Sequence, residues 1–184
     1  MIITISGLPG SGKSTIATRL AKKLGWQQYY MGRLWRELAR ERKMTLPELQ
    51  AQAEKDPSID KMVDEKVRQL GKSDKIIIES RTAYHFIPDS FKIFLKVSAD
   101  EGARRIFKDI QQSNKRNEGE DLNTVEDVKH SNEQRMASDN RRYQKYYGID
   151  VFDEKRFDFV LDTTKLDPDQ VFALTYKEVN KRNS

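Results

Sequence analysis

Residues 7–15, reading GLPGSGKST, constrain this chain more than any other stretch. They fit G-x-x-x-x-G-K-S/T through Gly7, Gly12, Lys13 and Ser14, with an apolar run at residues 1–5 before them and an amphipathic run after them. That setting predicts a strand, a tight loop and a helix. A polyphosphate is a dense, strongly hydrated anion, held only where many donors converge without stranding buried charge. Glycines at 7, 10 and 12 let the backbone curl so that successive N–H groups face one point, which the positive end of the next helix also faces. The pattern therefore assigns phosphate binding to Gly7, Leu8, Pro9, Gly10, Ser11, Gly12, Lys13, Ser14 and Thr15. Lys13 is expected on the β and γ phosphates of ATP or GTP, and the Ser14 hydroxyl on Mg²⁺. The bland alternative, a Gly/Ser turn that happens to contain lysine, does not account for a full match in a strand-to-helix setting.

The remaining periodicities build outward from that loop. Ile16, Ala17, Leu20, Ala21 and Leu24 recur at helical spacing and Gly25 stops them. Residues 27–30 form a short strand, residues 33–42 a second helix, Thr45-x-x-Glu48 a capping box for a third, and Asp56-Pro57 the start of a fourth. Ile59, Val63, Val67 and Leu70 line that fourth helix and Gly71 ends it. Three consecutive helices exceed what one crossover needs, so residues 33–70 are expected to form a helical lobe. The runs at 75–79 (KIIIE) and 92–97 are strands buried on both faces. Ser98-x-x-Glu101 caps the following helix, residues 111–123 turn polar as a hinge or arm, and 125–147 form a long charged helix stopped by Gly148. A fifth strand at 157–161 and a last helix from Asp167-Pro168 complete a three-layer α/β fold, with a five-stranded parallel sheet flanked by helices. One domain over 1–184 is expected, with a lid at about 108–147.

Composition narrows the chemistry. The 34 Lys and Arg against 29 Asp and Glu give +5, which suits an anionic partner without choosing it. The absence of cysteine excludes disulfides, thiolate nucleophiles and cysteine zinc sites. No apolar run is long enough to span a bilayer, so a cytosolic location is expected, with no membrane partner.

The phosphoryl acceptor is left to the other basic residues. Arg81 follows the carboxyl end of a buried strand, the rim where open α/β sheets bind ligands, although a loop arginine paired to a carboxylate fits as well. Arg135 and Arg142 lie two helical turns apart, about 10 Å along the axis, with Asp139 within reach of both. A solvated charged face is the competing account. Glu79 ends its strand and could order water around Mg²⁺, hold a substrate hydroxyl, or do neither. His85 and His130 have no partner pattern, and Tyr143, Tyr146 and Tyr147 read as packing beneath the long helix.

The chain resembles the cytidylate kinase family of nucleoside monophosphate kinases, and is most similar to its short archaeal-type form. The resemblance rests on ITISGLPGSGKST at 3–15, MGRLWRELARERKMTLPELQAQAEKDPSID at 31–60, ESR at 79–81, RMASDNRRYQKYYGID at 135–150 and VLDTTKLDPDQV at 160–171. It implies an ATP-dependent, Mg²⁺-assisted transfer to CMP or dCMP. It further implies that Gly32, Arg36, Glu79 and Arg81 serve the acceptor, that Arg105 and the DTT at 162–164 lie by the ATP base, and that Arg135 and Arg142 belong to the lid. Lys13, Arg81, Arg135 and Arg142 would then carry catalysis. The implied partners are ATP and a nucleoside monophosphate, not nucleic acid, acting in a monomer. Arg33, Ser80 and Asp109 depart from the family pattern, with Lys108 or Lys115 as substitutes for a lid arginine at 109, and UMP or AMP stay open as acceptors. So does a weakly catalytic ATP-binding module associated with nucleic acid.

Overall fold

The computed structural model describes residues 1–112 and 122–183. The middle of the expected polar arm, with Lys115, therefore lies outside the described residues. Five strands run parallel in one sheet: β1 (Ile2–Gly7), β2 (Gln27–Tyr30), β3 (Ile76–Glu79), β4 (Phe91–Lys96) and β5 (Phe159–Asp162), in the spatial order β2-β3-β1-β4-β5. The first strand in sequence is thus the middle of the sheet, where the chain turns from building one side to building the other. A crevice opens at the carboxyl ends of the strands at such a point.

Alternation along the strands sorts the helices into layers. Ile3, Ile5, Ile77 and Ile93 face α1 (Lys13–Leu24) and α8 (Pro168–Asn183), meeting Ile16, Leu20 and Val171. Ile76 and Ile78 face the opposite way, into a second core with α2 (Met31–Glu41), α3 (Leu46–Ala53) and α4 (Pro57–Leu70). Trp35, Leu46, Leu49, Ile59, Val63 and Val67 fill it, so the core of these three helices is continuous with that face of the sheet. Two further helices, α6 (Ala99–Gln112) and α7 (Val125–Tyr147), pack on each other through Ala103, Ile106 and Val128.

The helix ends follow the local signals. Thr45 and Glu48 form a reciprocal capping box, Asp56 accepts from the Ser58 N–H at 2.9 Å, and Gly25 and Gly148 close α1 and α7 in the left-handed conformation. Thr124 and Asp127 make a second capping box that the sequence reading lacks. Several bounds and one element differ from expectation. The second helix begins at Met31, the fifth strand starts two residues later behind a short turn of 3-10 helix at Glu154–Arg156, and one unexpected helical turn, α5 (Ala83–Phe86), follows β3. A single turn is too short to show a 3.6-residue period.

Candidate functional site

One cavity of about 700 Å³ opens at the carboxyl edge of the sheet, and most of the expected site residues border it. On one wall Pro9, Gly10, Ser11, Gly12, Lys13, Ser14 and Thr15 form the cradle between β1 and α1. Gly7 and Leu8 stand behind it and do not line the space. Their task is structural: a Cβ on Gly7 would lie 2.0 Å from the Leu95 carbonyl oxygen of β4, and the Leu8 N–H donates to that same oxygen at 3.0 Å. The loop is thereby fastened to the neighbouring strand. The Lys13 ammonium donates to the Leu8 carbonyl at 2.6 Å, which holds it across the mouth of its own loop. Ser14 donates its hydroxyl proton to Glu79 at 3.0 Å, so the end of β3 and the start of α1 bring two oxygens together.

The facing wall is cationic. Arg36, on α2, is buried at 6% exposure, donates to the Tyr30 hydroxyl at 2.8 Å and the Gly32 carbonyl at 3.0 Å, and lies near the Tyr30 ring. Gly32 permits this, since a Cβ there would press into the Tyr30 ring at 2.4 Å. Arg81 leaves the end of β3 and pairs with Asp139 of α7, while Arg135, also on α7, borders the same space. Burial, and then the nearby Arg135 charge, push the Arg81 guanidinium down to about 9. It remains charged at neutral pH, and an incoming anion would relieve both penalties.

Arg142 lies elsewhere. It is 2% exposed and does not line the cavity. Its Nε donates to Asp60 at 2.9 Å, its Nη1 to Ser138 at 3.0 Å and its Nη2 to Asp139 at 2.7 Å, with Trp35 and Tyr143 rings each 5.3 Å away. Asp139 pairs with Arg142, as the spacing allows, and also with Arg81 from a different element, while Arg142 anchors the wall from behind instead of lining the cavity. Tyr146 and Tyr147 serve packing as read from the sequence, donating to the Ala53 carbonyl at 2.8 Å and to Asp64 at 2.6 Å.

The profile of the AAA domain family matches residues 3–129. A cytidylate kinase of Methanothrix thermoacetophila is 40% identical over 167 residues, covering 91% of each chain. That of Methanocella arvoryzae is 37% identical over 182 residues, covering 98% of each. This chain belongs to the cytidylate kinase family. The shikimate kinase of Bacteroides thetaiotaomicron superposes with a TM-score of 0.67 over 98% of both chains at 12% identity, which shows a shared fold.

Arg105 on α6 donates through Nη2 to the Thr163 carbonyl at 2.8 Å and through Nη1 to the Thr163 hydroxyl at 3.2 Å, while its Nε pairs with Glu101 at 3.0 Å. The fully buried Thr163 hydroxyl lies 3.2 Å from the Ser11 carbonyl and 3.0 Å from that of Lys96. Arg105 and the DTT segment therefore brace the phosphate loop from the side. Lys108 and Asp109 also border the cavity, on an exposed face of α6.

Several contributors have no motif. Asp64 accepts from Thr82 at 2.7 Å and from Tyr147 at 2.6 Å, so it ties α4 to the loop carrying Arg81 and to α7. Burial drives its pKa up to about 6, against the lowering effect of those two hydrogen bonds. Asp60 is raised by the same cause, opposed by Arg142. One signal was readable: Asp60 and Asp64 are four apart on the helix that carries Ile59, Val63 and Val67 inward. Acidic residues spaced along an apolar face indicate buried cationic or hydroxyl partners. Val63 and Tyr143, which read in sequence as a helix face and as packing, line the cavity beside the arginines, and so does Trp35.

Proposed function

We propose that this member of the cytidylate kinase family transfers the γ-phosphoryl group of ATP to CMP or dCMP, giving ADP and the corresponding diphosphate. The observation that carries the reading is a single cavity with a phosphate cradle on one wall and Arg81 and Arg135, from two separate elements, on the other. Two mutually repelling anions can be brought into line only where positive charge already waits for both. The named relatives support cytosine as the acceptor base.

In this reading the backbone of Gly10–Ser14 and the Lys13 ammonium hold the β and γ phosphates. Ser14 and Glu79 present hard oxygens 3.0 Å apart, a donor set that suits Mg²⁺, which takes few protein ligands and completes its shell with phosphate and water. When bound, that ion neutralises phosphate oxygens. Arg81 and Arg135 steer the acceptor phosphate and, with Lys13, stabilise charge spread over the moving group. The attacking oxygen is already anionic and needs no general base. Alignment of the two phosphates accounts for roughly 7–11 kcal/mol of the barrier. Arg105 and Thr163 then lie beside the donor base, and Arg36 and Gly32 on the acceptor side. The reading takes the protein to act as a monomer, and soluble nucleotide substrates fit a cytosolic setting.

Incubating the protein with ATP, Mg²⁺ and, separately, CMP, dCMP, UMP and AMP tests this through ADP release. CMP or dCMP is expected to give the highest kcat/KM. Turnover confined to AMP would reassign the acceptor, and the absence of acceptor-dependent ADP would overturn the reading.

A further inference from the structure

Among the polar side chains that the phosphoryl chemistry leaves unused, one stands on the acceptor side of the cavity. Gln50, on α3, borders the space and is 7% exposed. It stands on the inward face of its helix, next to Leu49 and near Ala53, both fully buried. Its amide makes no hydrogen bond to a described residue and is not among the polar atoms sealed away without a partner, so it is open to a ligand that enters the cavity. A ligand that displaces water from this amide must supply the partners that water gave, so the amide selects for a group that can do so. The neighbouring walls limit which ligand fits. Trp35, Val63 and Tyr143 line the same cavity as flat or apolar surfaces, suited to the faces of an aromatic ring, while Arg36, Arg81 and Arg135 supply charge for a phosphate. An uncharged group with one donor and one acceptor side by side is what the edge of a nucleobase matches.

We propose that Gln50 reads the base of the acceptor nucleotide. The 4-amino group of cytosine donates to Gln50 Oε1, and Gln50 Nε2–H donates to cytosine N3. This inference rests on the proposed CMP kinase activity and adds to it a specificity residue from the third helix, a segment without any recognisable base-binding motif. Both atoms of the amide are engaged at once, so a base that lacks either partner leaves a buried group unpaired, and such sites discriminate strongly.

The test compares CMP with the 5′-monophosphate of 2-pyrimidinone riboside, which is cytidylate without its 4-amino group, in wild type and Gln50→Leu. Wild type is expected to favour CMP at least tenfold in kcat/KM. In Gln50→Leu the CMP value should fall at least tenfold, mainly through KM, the preference over the analogue should shrink below threefold, and KM for ATP should stay within twofold. A purely structural role for Gln50 would not abolish that discrimination selectively. If Gln50→Leu fails to fold, Gln50→Met replaces it, and the wild-type comparison stands by itself. Wild-type use of the analogue within twofold of CMP, or full discrimination retained in the variant, overturns the role of Gln50 and leaves the kinase reading intact. Wild type that turns over no CMP removes the kinase reading and this inference with it.

Discussion

At Gly7 a single methyl group decides whether the phosphate cradle can form. An alanine there would place Cβ 2.0 Å from the Leu95 carbonyl oxygen at a φ of 143°, so β1 and β4 would have to part. Gly7→Ala should therefore lower unfolding stability by about 2–4 kcal/mol, read from the urea midpoint, although the residue does not line the cavity. Lys13→Ala is the converse case. Its stability should change little, whereas kcat should fall by roughly 10²–10³, because the lost ammonium acts on charge that develops during transfer. Arg81→Ala should raise KM for CMP much more than KM for ATP, since Arg81 faces the acceptor wall; equal effects on both would remove that assignment. The residues of the cradle were legible because their geometry is set locally, by glycines and a lysine within nine positions. Gln50 was not, and Asp60 and Asp64 showed only a spacing along an apolar face, because each acquires its meaning from side chains delivered by other elements.

Between elements, Asp64 is the joint. It links α4, the loop after β3 and α7 through hydroxyl donors from Thr82 and Tyr147, and burial raises its pKa from 3.8 to about 6. A folded state that raises the pKa of an acid binds its proton more tightly than the unfolded chain does. The associated stabilisation is complete below about pH 4, is lost as pH rises through about 6, and is absent at neutral pH. The span corresponds to on the order of 3 kcal/mol. The melting temperature of wild type minus that of Asp64→Asn should accordingly increase as pH is lowered from 7 to 4, and a difference independent of pH would show that Asp64 takes up no proton there. The elements themselves were readable from pattern. KIIIE, with no polar residue between its ends, is a strand covered on both sides, and Ile76 and Ile78 do face one core while Ile77 faces the other. The single turn of α5 escaped because period needs length, and the way α7 docks escaped because Arg141–Glu54, Tyr146–Ala53 and Tyr147–Asp64 join segments far apart in sequence.

For the molecule as a whole, one cavity bordered by α1, α2, α3, α6 and α7 means that a ligand bound there holds several elements to the sheet at once. A ligand at a hundredfold excess over its Kd adds about 2.7 kcal/mol to stability. In a chain of 184 residues this should raise the melting temperature by about 5–10 °C with CMP, and by clearly less with a monophosphate that is a poor substrate, as measured by calorimetric scanning. The Thr163 hydroxyl has a consequence of another kind. It reaches the Ser11 carbonyl across a sequence separation of 152 residues. At roughly 5–20 residues per second, a ribosome makes the loop some 8–30 s before it makes the threonine that steadies it. A nascent chain therefore carries the loop for some time before the brace from the end of β5 can reach it.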